Sequence, residues 1–382
     1  MLRRYILQIY VMMICSNSVN AQLPASFSAH WKVAATLPPS EGQTQSLGLA
    51  GPITGQDGEY LWIGGGANFP DKMPWLGGKK KYYDALYLYA IRTDSLVRIE
   101  KTYHLPEPLA YAACSSTPEG VMYAGGENEK GISKKVFLVR WDDQQKNLSW
   151  HRLPDLPKGT TNASAATIGS KVYLAGGETA EGVSSQWIML DLNELDQGWQ
   201  QLPLLPQASS HAVLIASKTN NTFYLIGGRQ KNQKGISELY DAVYAYDVNK
   251  KTWNEKKPLP FPLSAGTGTL VQDHTIMLFG GDRGVVFHQV ETLISAINQE
   301  TDSAKRIALE NQKILLQSTH PGFCRDILLY DLDKNTWDYG GVIPYPTPVT
   351  TTAIRSDKKI WLPSGEVKAG VRTSFILEVQ IK

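Results

Sequence analysis

Cysteine is scarce in this sequence, and long hydrophobic runs are missing. Three of the 382 residues are cysteine, and only Cys114 and Cys324 follow the first 21 residues. Two distant cysteines without metal-ligand spacing exclude a disulfide framework and a zinc site, so we expect both to be small buried residues. The seven histidines show no metal-ligand spacing either. No apolar run reaches the roughly 20 residues of a membrane-spanning helix.

An excess of either charge is also absent. The chain has 38 basic and 36 acidic residues, and 36 of each once the first 21 residues are removed. A nearly neutral chain without a basic stripe has little electrostatic attraction for nucleic acid or for an anionic membrane surface. We therefore expect neither as a partner.

The first residues follow the layout of a signal peptide. Two arginines precede an apolar stretch from Tyr5 to Ile14, and a polar segment ends at Ala21. This pattern predicts that residues 1–21 are cleaved before Gln22 and that the protein is periplasmic, without stable membrane insertion after cleavage. A short transmembrane anchor and lipidation at Cys15 are the alternatives.

The sequence does contain a repeat. An apolar run closes on two glycines in five segments, LWIGGG, VMYAGG, VYLAGG, FYLIGG and IMLFGG, and a further copy, IWLPSG, ends in Ser-Gly. A Leu-Pro or Ile-Pro pair precedes each copy, and the strand patterns between them are rich in Tyr and usually end in Trp. Gly126, Gly177, Gly228 and Gly281 are spaced 51, 51 and 53 residues apart. This spacing matches the roughly 50-residue period of kelch propellers.

The two ends of the chain complement each other. Trp31 precedes the first Leu-Pro pair without a double glycine before it, and the last unit ends in SFILEVQIK without a Trp. We therefore predict a single all-β domain over residues 22–382, a six-bladed kelch β-propeller whose last blade is completed by the N-terminal strand around Trp31. The repeated aromatic residues are expected to pack between blades.

Two units are longer than the period. Their extra residues follow the double glycines of the first and fifth units, so they lengthen the loop between the second and third strands of each blade. In the longer insert, Val290, Leu293, Ile294 and Ile297 have the i, i+3, i+4, i+7 spacing of an amphipathic helix. We predict a helical insert in blade five over about residues 290–318, with room for two short helices.

Equivalent loops of a propeller emerge on one face around its axis, so the residues after the double glycines should converge there. The run Lys79–Lys81 in the first of these loops is expected to be solvated. The converging set comprises residues 67–83, Glu127, Asn128, Glu178, Arg229, Asp282, Arg283 and the stretch 366–372.

The sixth copy of the repeat concentrates charge in this set. Glu366 can act as a general base, Arg372 has a planar fork suited to a carboxylate, and Lys368 offers a flexible point charge. The three together suit chemistry on a small anionic substrate, with Arg229 and Arg283 as further anion-binding candidates. The alternative is a surface ion pair between Glu366 and Arg372 in a turn.

Two segments resemble a known family. SGEVKAGVRT, residues 364–373, resembles the Gly-Glu-x-Lys-x-Gly-x-Arg-Thr signature of the kelch-type N-acetylneuraminate epimerases, the sialic acid mutarotases of bacteria. GGGANFPD, residues 64–71, is similar to that family's Gly-Gly-Ala-x-Phe segment. In the familiar form the Glu-Lys-Arg segment lies mid-chain, whereas here it lies in the last blade, so the chain resembles a cyclically permuted branch. An arginine of the familiar form is replaced near QASSHAV, residues 207–213.

This resemblance implies an isomerase that interconverts the α and β anomers of N-acetylneuraminic acid by opening and reclosing the sugar ring. Glu366 would take the anomeric hydroxyl proton, and Arg372 with Lys368 would hold the carboxylate. The ring oxygen would take its proton from water, Tyr82 or Tyr83. The resemblance implies a small sugar acid as partner and no cofactor or metal. Further substrate-binding candidates are Asn68, Tyr82, Arg229 and Arg283.

Two other classes of function stay open at this stage. A non-catalytic kelch propeller that binds glycan or protein would carry the same repeat, since fold does not fix function. A sialidase would show Ser-x-Asp-x-Gly-x-Thr-Trp boxes, which the sequence lacks, and a copper oxidase would need a Cys/Tyr/His cluster, which two distant cysteines and scattered histidines support weakly.

Overall fold

A computed structural model describes residues 29–40, 42–232 and 235–381, so the predicted signal peptide lies outside the described residues. Within these ranges the chain forms six antiparallel sheets, each with a path of four hydrogen-bonded strands. The first strands of the sheets contact one another around a common axis. The six-bladed all-β propeller predicted from the repeat is confirmed.

From the axis outwards, the first three blades contain these strands. Blade 1 has Ala50–Asp57, Tyr60–Asn68, Ala85–Ile91 and Leu96–Arg98, with short strands Lys81–Tyr82 and Tyr103–His104 beside them. Blade 2 has Ala113–Thr117, Gly120–Ala124, Val136–Asp142 and Asn147–Leu153. Blade 3 has Ser164–Ile168, Lys171–Ala175, Trp187–Asp191 and Gln200–Gln201.

The other three blades follow the same order. Blade 4 has Val213–Ser217, Thr222–Ile226, Val243–Asp247 and Thr252–Glu255. Blade 5 has Thr267–Val271, Thr275–Phe279, Asp326–Asp331 and Thr336–Val342. Blade 6 has Ile354–Ser356, Lys359–Pro363 and Phe375–Ile381, and its fourth strand is Ala29–Thr36 from the start of the described chain. Trp31 lies opposite Val379 in this pairing, as the complementary chain ends predicted.

The second and third strands of blades 2, 3, 4 and 6 are joined through short hairpins that follow the glycine pairs, or Ser364-Gly365 in blade 6. The hairpin strands are Glu127–Asn128 with Gly131–Ile132, Glu178–Thr179 with Gly182–Val183, Arg229–Gln230 with Glu238–Leu239, and Glu366–Lys368 with Val371–Arg372. The glycines are needed for geometry: Gly125 has φ +69°, and a Cβ there would lie 2.1 Å from the carbonyl oxygen of Thr160.

Hydrophobic side chains fill the spaces between neighbouring blades. Each of the six interfaces holds its own cluster, and the cluster between blades 3 and 4 centres on Trp187 and Phe223, which are fully buried. Trp187 also contacts Tyr246 and Trp253, with ring centroids 5.4 Å away in both pairs. The repeated aromatic residues therefore pack between blades, as expected from their periodic positions.

One residue of each blade forms a closed ring of backbone hydrogen bonds at the axis. Each amide donates to the carbonyl of the ring residue in the preceding blade: Gly51 to Thr350, Tyr111 to Gly51, Asn162 to Tyr111, His211 to Asn162, Ala265 to His211, and Thr350 to Ala265, over 2.8–3.2 Å. All six have left-handed backbones, with φ between 52° and 59°. We call these residues the axial ring. The ring closes only because six blades complete a full turn.

The insert of blade 5 forms two α-helices between strands Thr275–Phe279 and Asp326–Asp331. Helix α1 spans Val285–Gln299 and helix α2 spans Ser303–Ser318. The helical insert in blade five is thereby confirmed, although α1 begins at Val285 rather than near Val290, directly after Gly284 with φ +81°. Asp302 caps α2 by accepting from the amide of Lys305. Short 3₁₀ helices lie at Pro74–Leu76 and Leu195–Gln197.

None of the helices in the described ranges has both the length and the apolar character needed to cross a membrane. Cys114 and Cys324 are both free. Cys114 is buried as expected, while Cys324 is half-buried.

Candidate active site

A cavity of about 400 Å³ lies at the axis, on the face where the hairpins emerge. In each of blades 2 to 6, the residue after the glycine pair bridges to the residue that precedes the axial ring, as Glu366 does with Val349 and Glu178 with Thr161. This pairing brings the five post-glycine side chains to one place, as the converging loops predicted. The cavity is lined by Glu127, Glu178, Arg229, Asp282 and Glu366 from this set.

Five members of the axial ring also line the cavity: Tyr111, Asn162, His211, Ala265 and Thr350. Sequence reasoning missed their role because their side chains have nothing in common. A positional signal was present, since Tyr111, Asn162, His211 and Ala265 each stand five residues after the proline of their Leu-Pro pair. Left-handed backbone is unfavourable for a tyrosine or a threonine, and strained residues of this kind concentrate at functional sites.

Glu366 lies at the start of the blade 6 hairpin. Its Oε1 accepts from the amide of Gly370 at 2.8 Å, and its Oε2 is 3.9 Å from Nη2 of Arg372. One carboxylate oxygen is therefore fixed by the hairpin, and the other lies near the buried guanidinium of Arg372. The side chain of Glu366 is 21% exposed, which leaves it accessible to a small ligand.

Ser364, which replaces the first glycine in the sixth copy, has a structural role. It keeps the left-handed backbone of the glycines, with φ 58°, and is fully buried. Its hydroxyl accepts from the amide of Leu49 at 2.8 Å and lies 2.7 Å from the carbonyl oxygen of Thr373. The serine therefore ties the Glu366 hairpin to the segment that enters blade 1.

Arg372 lies behind Glu366 and is not among the cavity-lining residues. Its side chain is 3% exposed, and its guanidinium lies 4.7 Å from the ring centroid of Phe69. Nε and Nη1 are buried without a hydrogen-bond partner among the described residues. Unpaired buried N–H groups of a guanidinium are costly, and a carboxylate is the ligand whose geometry satisfies them.

Lys80 lines the cavity beside this arginine, which corrects the expectation of a solvated lysine run at this position. Its Nζ lies 3.1 Å from Oε1 of Glu127 and 4.8 Å from the ring centroid of Tyr111. Burial alone would lower the pKa of Lys80, but Tyr111 and Glu127 together raise it above its ordinary value. Tyr82 donates to the same Glu127 oxygen at 2.8 Å. Burial and this hydrogen bond raise the pKa of Tyr82.

A second polar cluster lies at the boundary of blades 3 and 4. Ser210 donates to Oε1 of Glu178 at 3.0 Å and lies 3.1 Å from Nδ1 of His211. Nη2 of Arg229 is 3.4 Å from Nε2 of His211 and 3.7 Å from Glu178. Burial, and then the charge of Arg229, hold the pKa of His211 well below its ordinary value. A neutral His211 therefore accepts from Arg229, whose guanidinium also lies 4.8 Å from the ring centroid of Phe287 in α1.

The helical insert covers the blade 5 side of the cavity. Val286, Phe287 and Val290 of α1 line it, as do Gln317 of α2 and His320 just beyond. The apolar residues of this wall limit contact with water, and His320 is the titratable residue that the insert adds. Sequence reasoning did not single out His320, because the other blades have no equivalent segment with which its position could be compared.

Three residues predicted to bind substrate lie elsewhere. Lys368 and Arg283 are both exposed, and neither lines the cavity. The guanidinium of Arg283 lies 4.0 Å from the ring centroid of Phe261. Asn68 is 2% exposed, donates to the carbonyl of Gly48 and accepts from the hydroxyl of Tyr83 at 2.8 Å. The structure thus places Glu366 and Arg229 in the cavity lining. Arg372 and Tyr82 lie outside the lining but contact the lining residues Glu366 and Glu127.

No group of three or more His, Cys, Asp and Glu side chains in the described part of the chain is arranged to hold a metal ion. The fold and the cavity together define a kelch-type propeller with a charged, ligand-sized site at the axis of one face.

Comparison with known sequences identifies the family. The family model of N-acetylneuraminate epimerase matches residues 153–382, and the chain belongs to this family. It is similar to the N-acetylneuraminate epimerases of Vibrio cholerae serotype O1, with 27% identity over 59% of this chain, and of Yersinia pestis strain Pestoides F, with 26% identity over 58%. The corresponding protein of Salmonella typhi is 24% identical over 59% of this chain.

The similarity covers part of each relative. The matched segments span 59%, 56% and 57% of the Vibrio, Yersinia and Salmonella proteins. On this chain the family match includes Glu178, Arg229, His320, Glu366 and Arg372 and begins at Leu153, the last residue of blade 2. The Lys80 and Tyr111 wall of the cavity therefore lies outside the matched segment.

Proposed function

We propose that this protein is a mutarotase that interconverts the α and β anomers of N-acetylneuraminic acid. The observation that carries the proposal is the placement of the Glu366 carboxylate in a ligand-sized cavity, 3.9 Å from the guanidinium of a buried arginine. A base beside a carboxylate-binding cation is what ring opening of a sugar acid requires. Family membership supports the same substrate, which is the one named for the relatives.

The reaction needs a base at the anomeric hydroxyl. Oε2 of Glu366 takes that proton while Oε1 stays bound to the amide of Gly370. As the hydroxyl oxygen becomes a carbonyl, the bond between the anomeric carbon and the ring oxygen breaks. The open chain rotates and recloses on the other face, and Glu366 returns its proton. A positioned base of this kind contributes about 10²–10⁴-fold to a rate.

The cations orient the substrate. Lys80 lines the cavity and supplies positive charge for the carboxylate of the sugar acid. The unpaired Nε and Nη1 donors of Arg372 suit the same carboxylate, which reaches them by entering past Glu366, because Arg372 lies behind the cavity lining. Arg229 stands at the opposite side of the cavity, fixed by His211 and Glu178. It is placed to contact the uncharged polar groups of the substrate. Lys368 and Arg283 stay untested as substrate-binding residues, since both lie outside the cavity lining.

The experiment is an NMR time course on freshly released α-N-acetylneuraminate. Wild-type protein should shorten the approach to the anomeric equilibrium, and Glu366→Gln should slow it by at least about 10² relative to wild type. Glu181→Gln is the matched control, because Glu181 is 72% exposed on the blade 3 hairpin of the same face. Acceleration by neither protein would reject the mutarotase, and ligand binding without turnover in the wild type would favour a non-catalytic propeller.

A further inference from the structure

The hydrogen-bond pattern of His320 fixes which ring nitrogen carries its proton. Nδ1 accepts from the amide of Gly322 at 3.0 Å. In the neutral ring the proton therefore resides on Nε2. Nε2 has no partner among the described residues, and His320 lines the cavity although it is only 9% exposed. His320 therefore carries an N–H donor without a described partner in the wall of the cavity.

His320 stands on the opposite side of Glu366 from the cations. The segment that carries it packs against the Glu366 hairpin, since a Cβ at Gly322 would lie 3.4 Å from the carbonyl oxygen of Val367. Arg372 and Lys80 lie on the blade 1 side of Glu366, whereas His320 approaches from blade 5. The charged groups that face the imidazole are Asp282, Glu366 and Lys368. Glu366 thus has Arg372 and Lys80 on its blade 1 side, and the imidazole of His320 with the exposed Lys368 near it on its blade 5 side.

This arrangement matches the three oxygen-bearing groups on the anomeric carbon of a sugar acid. These are the carboxylate, the hydroxyl and the ring oxygen. With the carboxylate directed to the cations and the hydroxyl to Glu366, the ring oxygen faces the side on which His320 stands. We propose that His320 is a second catalytic residue, whose Nε2–H donates a hydrogen bond to the ring oxygen as the ring opens. This assignment rests on the proposed mutarotase function.

The step balances without an added reactant. The hydroxyl proton goes to Glu366, the hydroxyl oxygen forms the carbonyl, and the electron pair of the breaking bond goes to the ring oxygen. Solvent water protonates that oxygen, while Glu366 keeps the hydroxyl proton. On reclosure the same oxygen gives its proton back to solvent and Glu366 protonates the new anomeric hydroxyl. The Nε2–H of His320 stabilises the negative charge that develops on the ring oxygen before the proton arrives, and keeps its own proton throughout.

The ring of His320 is suited to this role because it stays neutral. Burial lowers the pKa of His320, opposed by Asp282 and Glu366, so the bond from Gly322 to Nδ1 persists near neutral pH. A neutral imidazole can polarise an oxygen as a donor without acting as a proton source.

The test compares His320→Phe, which removes the donor, with His320→Gln, which keeps an N–H donor on a shorter side chain. In the NMR assay His320→Phe should lose about 10²-fold in kcat with a small change in KM, the loss typical of one donor to a developing oxyanion. His320→Gln should recover part of this loss. His274→Phe, at an exposed histidine of blade 5, is the matched control and should equal wild type. Thermal unfolding of each variant reports whether the fold is kept.

The outcomes separate the two proposals. If wild type is active and a folded His320→Phe variant keeps its kcat, the assignment of His320 is wrong and the mutarotase function stands. A rise in KM alone, equal for Phe and Gln, would also overturn it, because that result describes ground-state binding. If wild-type protein does not accelerate mutarotation, the function and the assignment fail together.

Discussion

The amide of Gly51 donates to the carbonyl oxygen of Thr350 at 2.8 Å and so joins blade 1 to blade 6 at the axis. Gly51 is the glycine of the axial ring. A Cβ at this position would lie 2.3 Å from Cδ1 and 2.6 Å from the amide nitrogen of Tyr111. Gly51 therefore allows two neighbouring ring residues, one from each of blades 1 and 2, to pack directly against each other.

Gly51→Ala should lower the free energy of unfolding by about 3 kcal/mol, because the new methyl group meets backbone as well as side chain and the left-handed φ is kept by the ring. Chemical denaturation measures the change. Gly58→Ala is the control, since Gly58 has φ +54° but a Cβ there would have no neighbouring atom within 4 Å. If Gly51→Ala lowers the free energy of unfolding no more than Gly58→Ala does, the contact of the new methyl group with Tyr111 is not destabilising.

Arg372→Lys should reduce kcat/KM by about 10²-fold while the fold is kept. Lysine retains the charge but loses the planar fork, and charge-assisted hydrogen bonds to a carboxylate are worth about 3 kcal/mol. The NMR assay over a range of substrate concentrations measures the loss. Arg140→Lys is the control at a residue whose side chain is 52% exposed. Wild-type kcat/KM in Arg372→Lys would rule out recognition of the carboxylate by the arginine fork.

Glu378→Ala should weaken the closure of the propeller. Glu378 is 2% exposed, accepts from Nε1 of Trp361 at 3.0 Å and lies 3.2 Å from Nζ of Lys32 on the N-terminal strand. Its removal leaves the indole N–H unpaired and should cost about 2 kcal/mol of unfolding free energy. Glu59→Ala is the comparison, with a 78% exposed side chain paired to Arg92. That change should cost less than about 0.5 kcal/mol, and equal losses would contradict a buried role for Glu378.

Stability should decrease on mild acidification through His211. Its pKa in the folded protein lies well below the ordinary value because burial and Arg229 disfavour the charged ring. The unfolded chain then binds a proton where the folded chain does not, so the stabilisation is complete above about pH 6.5 and declines below it. The Tm should be lower at pH 5 than at pH 7.5, and the difference should be smaller in His211→Gln. An unchanged difference would assign the effect to other groups, such as His320.

The fold was predictable because it depends on features that recur. Glycine pairs, Leu-Pro pairs and inter-blade aromatic residues recur at the same spacing, because every blade needs the same turn after its second strand and the same packing against its neighbours. The unmatched Trp31 strand even identified the blade that closes the ring, because a lone outer strand has one place to pair. The post-glycine residues, Glu366 among them, were predictable as a group because equivalent loops of a propeller share a face.

The rest of the site could not be read from the repeat. Lys80 and His320 stand in inserts that have no counterpart in other blades, so nothing in the sequence relates their positions to the axis. Tyr111 and His211 do occupy equivalent positions, but different side chains at each copy concealed the equivalence. The burial of Arg372 behind Lys80 and Tyr111 depends on packing across three blades, which spacing alone does not encode.

In the axial ring, backbone atoms join the blades, whereas side chains line the cavity. Its six hydrogen bonds use backbone atoms alone, so the bonds themselves are indifferent to the side chain at each position. The present occupants, Gly51, Tyr111, Asn162, His211, Ala265 and Thr350, range from no side chain to a phenol. At the five ring positions that line the cavity, a change of side chain can therefore alter the chemistry of the site while the backbone bonds that close the propeller stay the same, whereas Gly51, packed against Tyr111, does not have this freedom.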